Sequence, residues 1–243
     1  MSRIYFPGDV PQHGRCRLRP EAAHHVAHVL RLAPGDAVTL FDGRGMEYAA
    51  VIVQVTRGEV TLDVAQGRIV DRESPLAITL AQGISSAERM DYTVQKAVEL
   101  GVTTIQPVQT RRGIVRLDHA RAQKRCAHWQ AIAVAACEQC GRNRVPQVLP
   151  VMTLRDWLGQ GAPNQGALSM LLAPDANLTL KTLPRPRTGV TLVAGPEGGL
   201  TAEERRDAER AGFVAVRIGP RILRTETAAL AAIAAIQLLW GDF

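Results

Sequence analysis

The chain has 243 residues, 46% hydrophobic and 4% aromatic, with a formal net charge of +6. That is enough for one large core or two smaller ones, while four cysteines, at positions 16, 126, 137 and 140, are too few for a disulfide framework and suit a reducing compartment. The longest apolar run, residues 228 to 240, holds Gln237 and falls short of the ~20 residues of a membrane span, and the first residues lack the pattern of a signal peptide, so a cytoplasmic protein with no membrane segment is expected.

In chain order, the stretch "RPEAAHHVAHVLRLAPGD" predicts a helix that opens near Pro20 and stops at Pro34-Gly35. His24, His25 and His28 lie on it, and they fit RNA contact or plain surface rather than a metal site. Residues 36 to 70 alternate apolar and polar positions, and Asp42-Gly43 and Arg57-Gly58 have hairpin-turn chemistry. Residues 1 to 72 are therefore predicted to form a small β-barrel with one helix, joined to residues 73 to 243 through the linker "VDRESP" at 70 to 75.

From residue 76 the rhythm becomes strand, helix, strand. "LAITLAQG" predicts a strand. "SAERMDYTVQKAVELG" predicts a helix that turns Met90, Val94, Ala97 and Val98 to one face and ends at Gly101. "TTIQPV" is the next strand, a long helix runs from 121 to 139, and strands follow at 168 to 173, 190 to 194 and 214 to 218. This alternation predicts a mostly parallel sheet covered by helices, and such sheets bind ligands beyond the carboxyl ends of their strands. The last two of these strands end there in Gly-Pro loops.

The charge is concentrated. Residues 111 to 144 hold Arg111, Arg112, Arg116, Arg121, Lys124, Arg125, Arg142 and Arg144 against Asp118 and Glu138, a balance of +6 that equals the total for the chain. A basic cluster on a balanced protein suits a polyanionic partner; a solvated helix face is the plainer alternative. The scarcity of aromatics argues against a stacking platform for single strands.

The first loop, "AGPEGG", matches neither the spacing of a phosphate loop nor that of a dinucleotide fingerprint. Glu197 would repel phosphate, so a neutral or cationic ligand fits it better, as does a turn with no ligand at all. Thr201 and Glu204 form a capping box that starts a helix at Ala202. The second loop places Arg221, Arg224, Thr225, Glu226 and Thr227 where an alanine-rich helix begins, a costly position for charge without partners. Cys137 and Cys140 have zinc-like spacing but no second pair, so no metal is expected.

Five motifs in order, "HHVAHVLRLAPGD", "ERMDYTVQKAVELGV", "EQCGRNRVP", "GPEGGL" and "IGPRILRTETA", span nearly the whole chain. Together they resemble the bacterial small-subunit ribosomal RNA uridine-N3 methyltransferase family of the SPOUT superfamily. The resemblance implies an N-terminal PUA-like β-barrel, a C-terminal SPOUT α/β domain with a trefoil knot, a homodimer, S-adenosylmethionine as cofactor, and a uridine N3 of small-subunit (16S) ribosomal RNA as acceptor. It further implies a donor pocket from Leu172, Ala194, Gly195, Glu197, Gly198, Ile218, Gly219, Leu223, Arg224, Thr225 and Ala228, with adenine on the small groups around Ile218, Gly219 and Leu223. Arg224 would orient the base or its phosphate, Glu138 or Glu226 would accept the proton, and Arg31, Arg111, Arg112, Arg142 and Arg144 would grip RNA phosphates. Two alternatives remain: a SPOUT enzyme for another RNA position, such as a ribose 2′-oxygen, against which the final motif "LRTETA" speaks because it lacks an asparagine; and a non-catalytic RNA-binding assembly factor.

Overall fold

The computed structural model describes residues 2–161 and 166–243. The chain gathers into two units, one built from the residues up to Glu73 plus Cys137–Val145, the other from Ser74–Ala136 and Pro146–Phe243.

In the first unit, strands β1 (Ser2–Tyr5), β2 (Gly14–Arg17), β3 (Ala37–Phe41), β4 (Met46–Thr56) and β5 (Glu59–Ile69) form a sheet in the order β1-β3-β4-β5-β2. Alternation along β4 and β5 sends Ala50, Ile52, Val60, Leu62 and Val64 into a core shared with Ile4, Val26 and Leu40. Register shifts at Tyr48/Ala50 and Ile52/Gln54 are the irregularities that bend such strands and increase their twist. Both predicted hairpin turns form. At the first, the Asp42 carboxylate accepts the N–H groups of Arg44 and Met46, at 2.7 and 3.0 Å; at the second, Gly58 takes a φ of 92° between the paired Thr56 and Glu59.

The first helix departs from expectation. Helix α1 (Pro20–His24) widens into a π turn over His25–Val29, in which the N–H of Leu30 bonds to the carbonyl of His25. Arg31 then adopts a left-handed φ of 54°, so the helix ends before the Pro34-Gly35 stop signal is reached.

The polar centre of this unit is Glu47. Its buried carboxylate accepts from Arg3 at 3.2 Å, Arg68 at 2.9 Å, Arg72 at 3.1 Å and Asn143 at 3.2 Å. Burial works to raise its pKa, but the hydrogen bonds from Asn143, Arg72, Arg68 and Arg3 outweigh that and hold it at about 2. A carboxylate whose pKa is depressed by folding adds stability above its unfolded value and loses it as pH falls. The unit is thus expected to lose stability between about pH 4.5 and about pH 2, and Glu47→Gln should flatten that acid limb in a series of thermal melts; an unchanged limb would remove Glu47 from the account.

In the second unit, strands β6 (Ala77–Gly83), β7 (Thr104–Gln109), β8 (Gln147–Val148), β10 (Leu168–Leu172), β11 (Leu178–Thr179), β12 (Gly189–Ala194) and β13 (Val214–Arg217) lie in the order β11-β13-β10-β12-β6-β7-β8, and β9 (Met152–Thr153) also pairs with β7. Every pairing is parallel. Strand β12 is buried throughout, the run of apolar residues expected of a strand covered on both faces.

The helices are α2 (Ala87–Glu99), α3 (His119–Cys140), α4 (Leu154–Gly159), α5 (Ala202–Arg210) and α6 (Thr225–Trp240). Helix α2 closes in a Schellman motif: Gly101 donates to Val98 and Val102 to Ala97, with Gly101 at a φ of 85°. The Thr201–Glu204 capping box forms with both of its hydrogen bonds. Helix α6 buries Ala229, Ala232, Ile233 and Ile236. Among the described residues, no helix is long and apolar enough to cross a membrane.

Candidate functional site

Parallel strands put their carboxyl ends on one edge, so the chain leaving β10, β12 and β13 meets there. The three segments enclose a cavity of about 460 Å³. Leu172, Ala194, Gly195, Glu197, Ile218, Gly219, Leu223, Arg224, Thr225 and Ala228, picked out from sequence, all line it, and Arg89, Pro196 and Ile222 share the wall. Gly198 is not part of that wall. It packs on Arg112, and a Cβ there would lie 2.8 Å from the Arg112 carbonyl oxygen.

One hydroxyl joins the elements that form the cavity. Thr225 Oγ1 donates to the Gly195 carbonyl at 2.6 Å and accepts from Gln82 Nε2 at 3.1 Å, linking the end of β6, the loop after β12 and the start of α6. Gln82 was not among the predicted site residues, although an amide within the apolar run of β6 was a visible signal. Thr225→Val keeps the shape and leaves the buried Gln82 amide and Gly195 carbonyl short of a partner. Such a loss costs about 1–3 kcal/mol, and ligand affinity at the cavity should fall by a corresponding factor in calorimetry; unchanged affinity would show that the hydroxyl does not set the loop.

Most of the cavity wall is apolar or glycine, and its charged members are Arg89, Glu197, Arg205, Arg221 and Arg224. Glu197 Oε1 accepts the Ser86 N–H at 2.9 Å and Arg89 Nη1 at 3.2 Å. Burial would raise this carboxyl, but the hydrogen bonds from Ser86 and Arg89 prevail and hold it below its ordinary value. Glu226, in the first turn of α6, has Oε1 3.9 Å from Arg89 Nε. Arg224 is exposed on the wall one residue before α6. Glu138 sits in the other unit, where it accepts the backbone N–H of Tyr5 at 2.9 Å. The structure thus puts Arg224 on the cavity wall, sets Glu226 off that wall against Arg89, and leaves Glu138 with the first strand.

The basic segment divides. Arg112, Arg144 and Arg31 are exposed. Arg111 is exposed but forked on Glu203, while its N–H donates to Glu204 Oε1 at 2.7 Å. Arg142 contradicts the expectation of a phosphate contact. Its side chain is only 7% exposed and is forked on Glu73, with Nε 3.1 and 3.2 Å from the two carboxylate oxygens. An arginine so enclosed is a structural cation. Burial pushes the Cys137 thiol up to about 12, which makes it unreactive, and no three metal-binding side chains group together among the described residues.

Family models for an RNA methyltransferase domain and an RNA methyltransferase PUA domain match residues 72–237 and 18–65. Ribosomal RNA small subunit methyltransferase E of Buchnera aphidicola (Acyrthosiphon pisum, strain APS) is 33% identical over 241 residues, covering 99% of this chain and 94% of its own. That of Bacillus subtilis is 34% identical over 239 residues, covering 91% of each. The chain belongs to the ribosomal RNA small subunit methyltransferase E family. Among solved structures, the methyltransferase E of Neisseria gonorrhoeae bound to S-adenosyl methionine superposes with a TM-score of 0.92 at 44% identity, covering 100% of this chain and 99% of the other. A putative methyltransferase of Legionella pneumophila in complex with the same cofactor gives 0.93 at 41% identity, covering 99% and 98%. Within methyltransferase E, the N-terminal sheet is the PUA-like domain and the C-terminal parallel sheet the SPOUT-type domain.

Proposed function

We propose that this chain is an S-adenosylmethionine-dependent methyltransferase that modifies small-subunit ribosomal RNA at N3 of a uridine, acting in the cytoplasm as a homodimer whose C-terminal domain is tied in a trefoil knot. The observation that carries this is the cavity at the carboxyl edge of β10, β12 and β13, where apolar and glycine surfaces adjoin the ionised Glu197. That combination suits an adenosine attached to a cation. When bound, the donor supplies a methyl group on a sulfonium.

Adenine would lie along Ile218, Gly219 and Leu223, all on the wall. Arg224, exposed on the same wall, orients the uridine base or its phosphate, and Arg112, Arg144 and Arg31 present free faces to the RNA backbone, the work guanidinium groups do well. Arg111 joins them only by giving up Glu203. Fixing N3 against the methyl carbon supplies much of the rate in such a transfer.

Calorimetry with S-adenosylmethionine should show saturable binding, and mass spectrometry of small-subunit RNA should show one N3-methyluridine that disappears when this protein is deleted. No heat and an unchanged RNA would overturn the proposal. Arg144→Ala should weaken RNA binding and reduce the slope of log K against log salt by about one phosphate's worth; equal slopes would place Arg144 away from the RNA.

A further inference from the structure

We infer that Arg89 is a positioning residue that holds Glu226 as the acceptor of the uridine N3 proton, with Glu197 as the second carboxylate on the same guanidinium. The inference rests on the methyl-transfer function proposed above and assigns roles in it to a side chain on α2, outside the three loops that the motifs mark.

The three groups come from distant parts of the chain. Arg89 Nη1 reaches Glu197 Oε1 at 3.2 Å, and its Nε stands 3.9 Å from Glu226 Oε1. Both glutamate side chains are 15% exposed, and the second oxygen of each, Oε2, is buried with no hydrogen-bond partner among the described residues. A carboxylate oxygen shielded from water and lacking a donor is costly to maintain. One guanidinium neutralises one carboxylate, so these three side chains together carry a net charge of −1, while Arg221 and Arg224 stand on the cavity wall beyond them.

That charge matches the needs of the transfer. As the N3–H bond breaks, its proton passes to Glu226 and the N3 electron pair bonds to the methyl carbon; the electron pair of the breaking C–S bond returns to sulfur, leaving a neutral thioether. The donor loses its sulfonium charge as the cluster loses its negative charge, so the transfer itself changes the charge of the site by nothing.

Between the two carboxylates, Glu226 is the better acceptor. Glu197 is tied by the Ser86 N–H as well as by Arg89, whereas the contact of Glu226 with Arg89 is longer than a hydrogen bond. Its charged contact is Arg89 on α2, through which Glu197 on the loop after β12 is linked to it, and Arg224 precedes it in sequence at the start of α6. Thr225, pinned to Gly195 and Gln82, fixes the turn that carries Glu226.

The test is single-turnover methyl transfer to small-subunit RNA as a function of pH, with donor affinity measured by calorimetry and folding by thermal melts on the same preparations. Glu226→Gln should cut the rate by roughly 100-fold or more, the usual worth of a general base, while donor Kd stays within about threefold. Arg89→Ala should leave the acid limb of the rate profile shifted to higher pH, because Glu226 then faces Glu197 without the cation between them, and Arg89→Lys should restore part of it. A Glu226→Gln rate near wild type, or an Arg89→Ala profile that falls in height without moving in pH, would overturn the inference. Wild-type protein that neither binds the donor nor methylates would instead overturn the proposed function.

Discussion

Arg142→Ala is expected to destabilise the N-terminal unit by about 3–5 kcal/mol, the usual consequence of removing one partner from a buried ion pair. The side chain is 7% exposed and forked on Glu73, itself 12% exposed, so its loss strands a carboxylate in a place water barely reaches. Hydrogen exchange in β3 to β5 should quicken, and the melting temperature should fall. Glu73→Gln should do similar damage, and the double variant should cost less than the sum, since the two act through one interaction. RNA affinity per folded molecule should be unchanged. If Arg142→Ala melts like wild type and binds RNA with a flatter salt dependence, the guanidinium belongs to the RNA surface after all.

Gly83→Ala is expected to damage the cavity from behind. Gly83 ends β6, and a Cβ there would lie 2.5 Å from both the nitrogen and Cδ of Pro196 and 2.9 Å from the Gly195 carbonyl carbon. These are backbone and ring atoms that cannot rotate away, so the GPEGG loop must move. Donor affinity should fall at least tenfold, about 1.4 kcal/mol, along with the ~1–3 kcal/mol of stability that overpacking costs. Gly159→Ala, where nothing lies within 4 Å of the added carbon, is the matched control and should be near neutral on both measures. Equal donor affinity in the two variants would show that the loop yields freely.

Much of the fold could be read from the sequence because its signals are local. The caps at Thr201 and Gly101, the turns at Gly43 and Gly58 and the apolar runs of β6, β10 and β12 depend on neighbours a few residues away. Strands β8, β9 and β11 escape because two residues carry no period, and "SRIY" and "GRCR" are too short to announce β1 and β2. The early end of the first helix depended on the π turn and the left-handed Arg31, neither of which leaves a mark in composition. At the site, the loop residues could be named because glycine and proline advertise them. The partner of Glu197 could not, since Arg89 lies 108 positions away. Arg142 and Arg144 count equally toward net charge, yet one is buried and the other exposed; charge totals do not distinguish them.

The fit of Gly198 against the Arg112 carbonyl, with the N–H of Arg111 held by Glu204 just beyond the same loop, means that the loop whose Gly195 and Glu197 line the proposed donor cavity rests, on its other side, on the segment that carries the proposed RNA arginines. A polyanion that draws Arg112 outward takes away the support on which the glycine loop rests, and a ligand that settles the loop steadies the arginines. Whatever factor RNA exerts on donor affinity, the donor must return to RNA, so the order in which the two arrive at this enzyme is a matter of rates and not of thermodynamics.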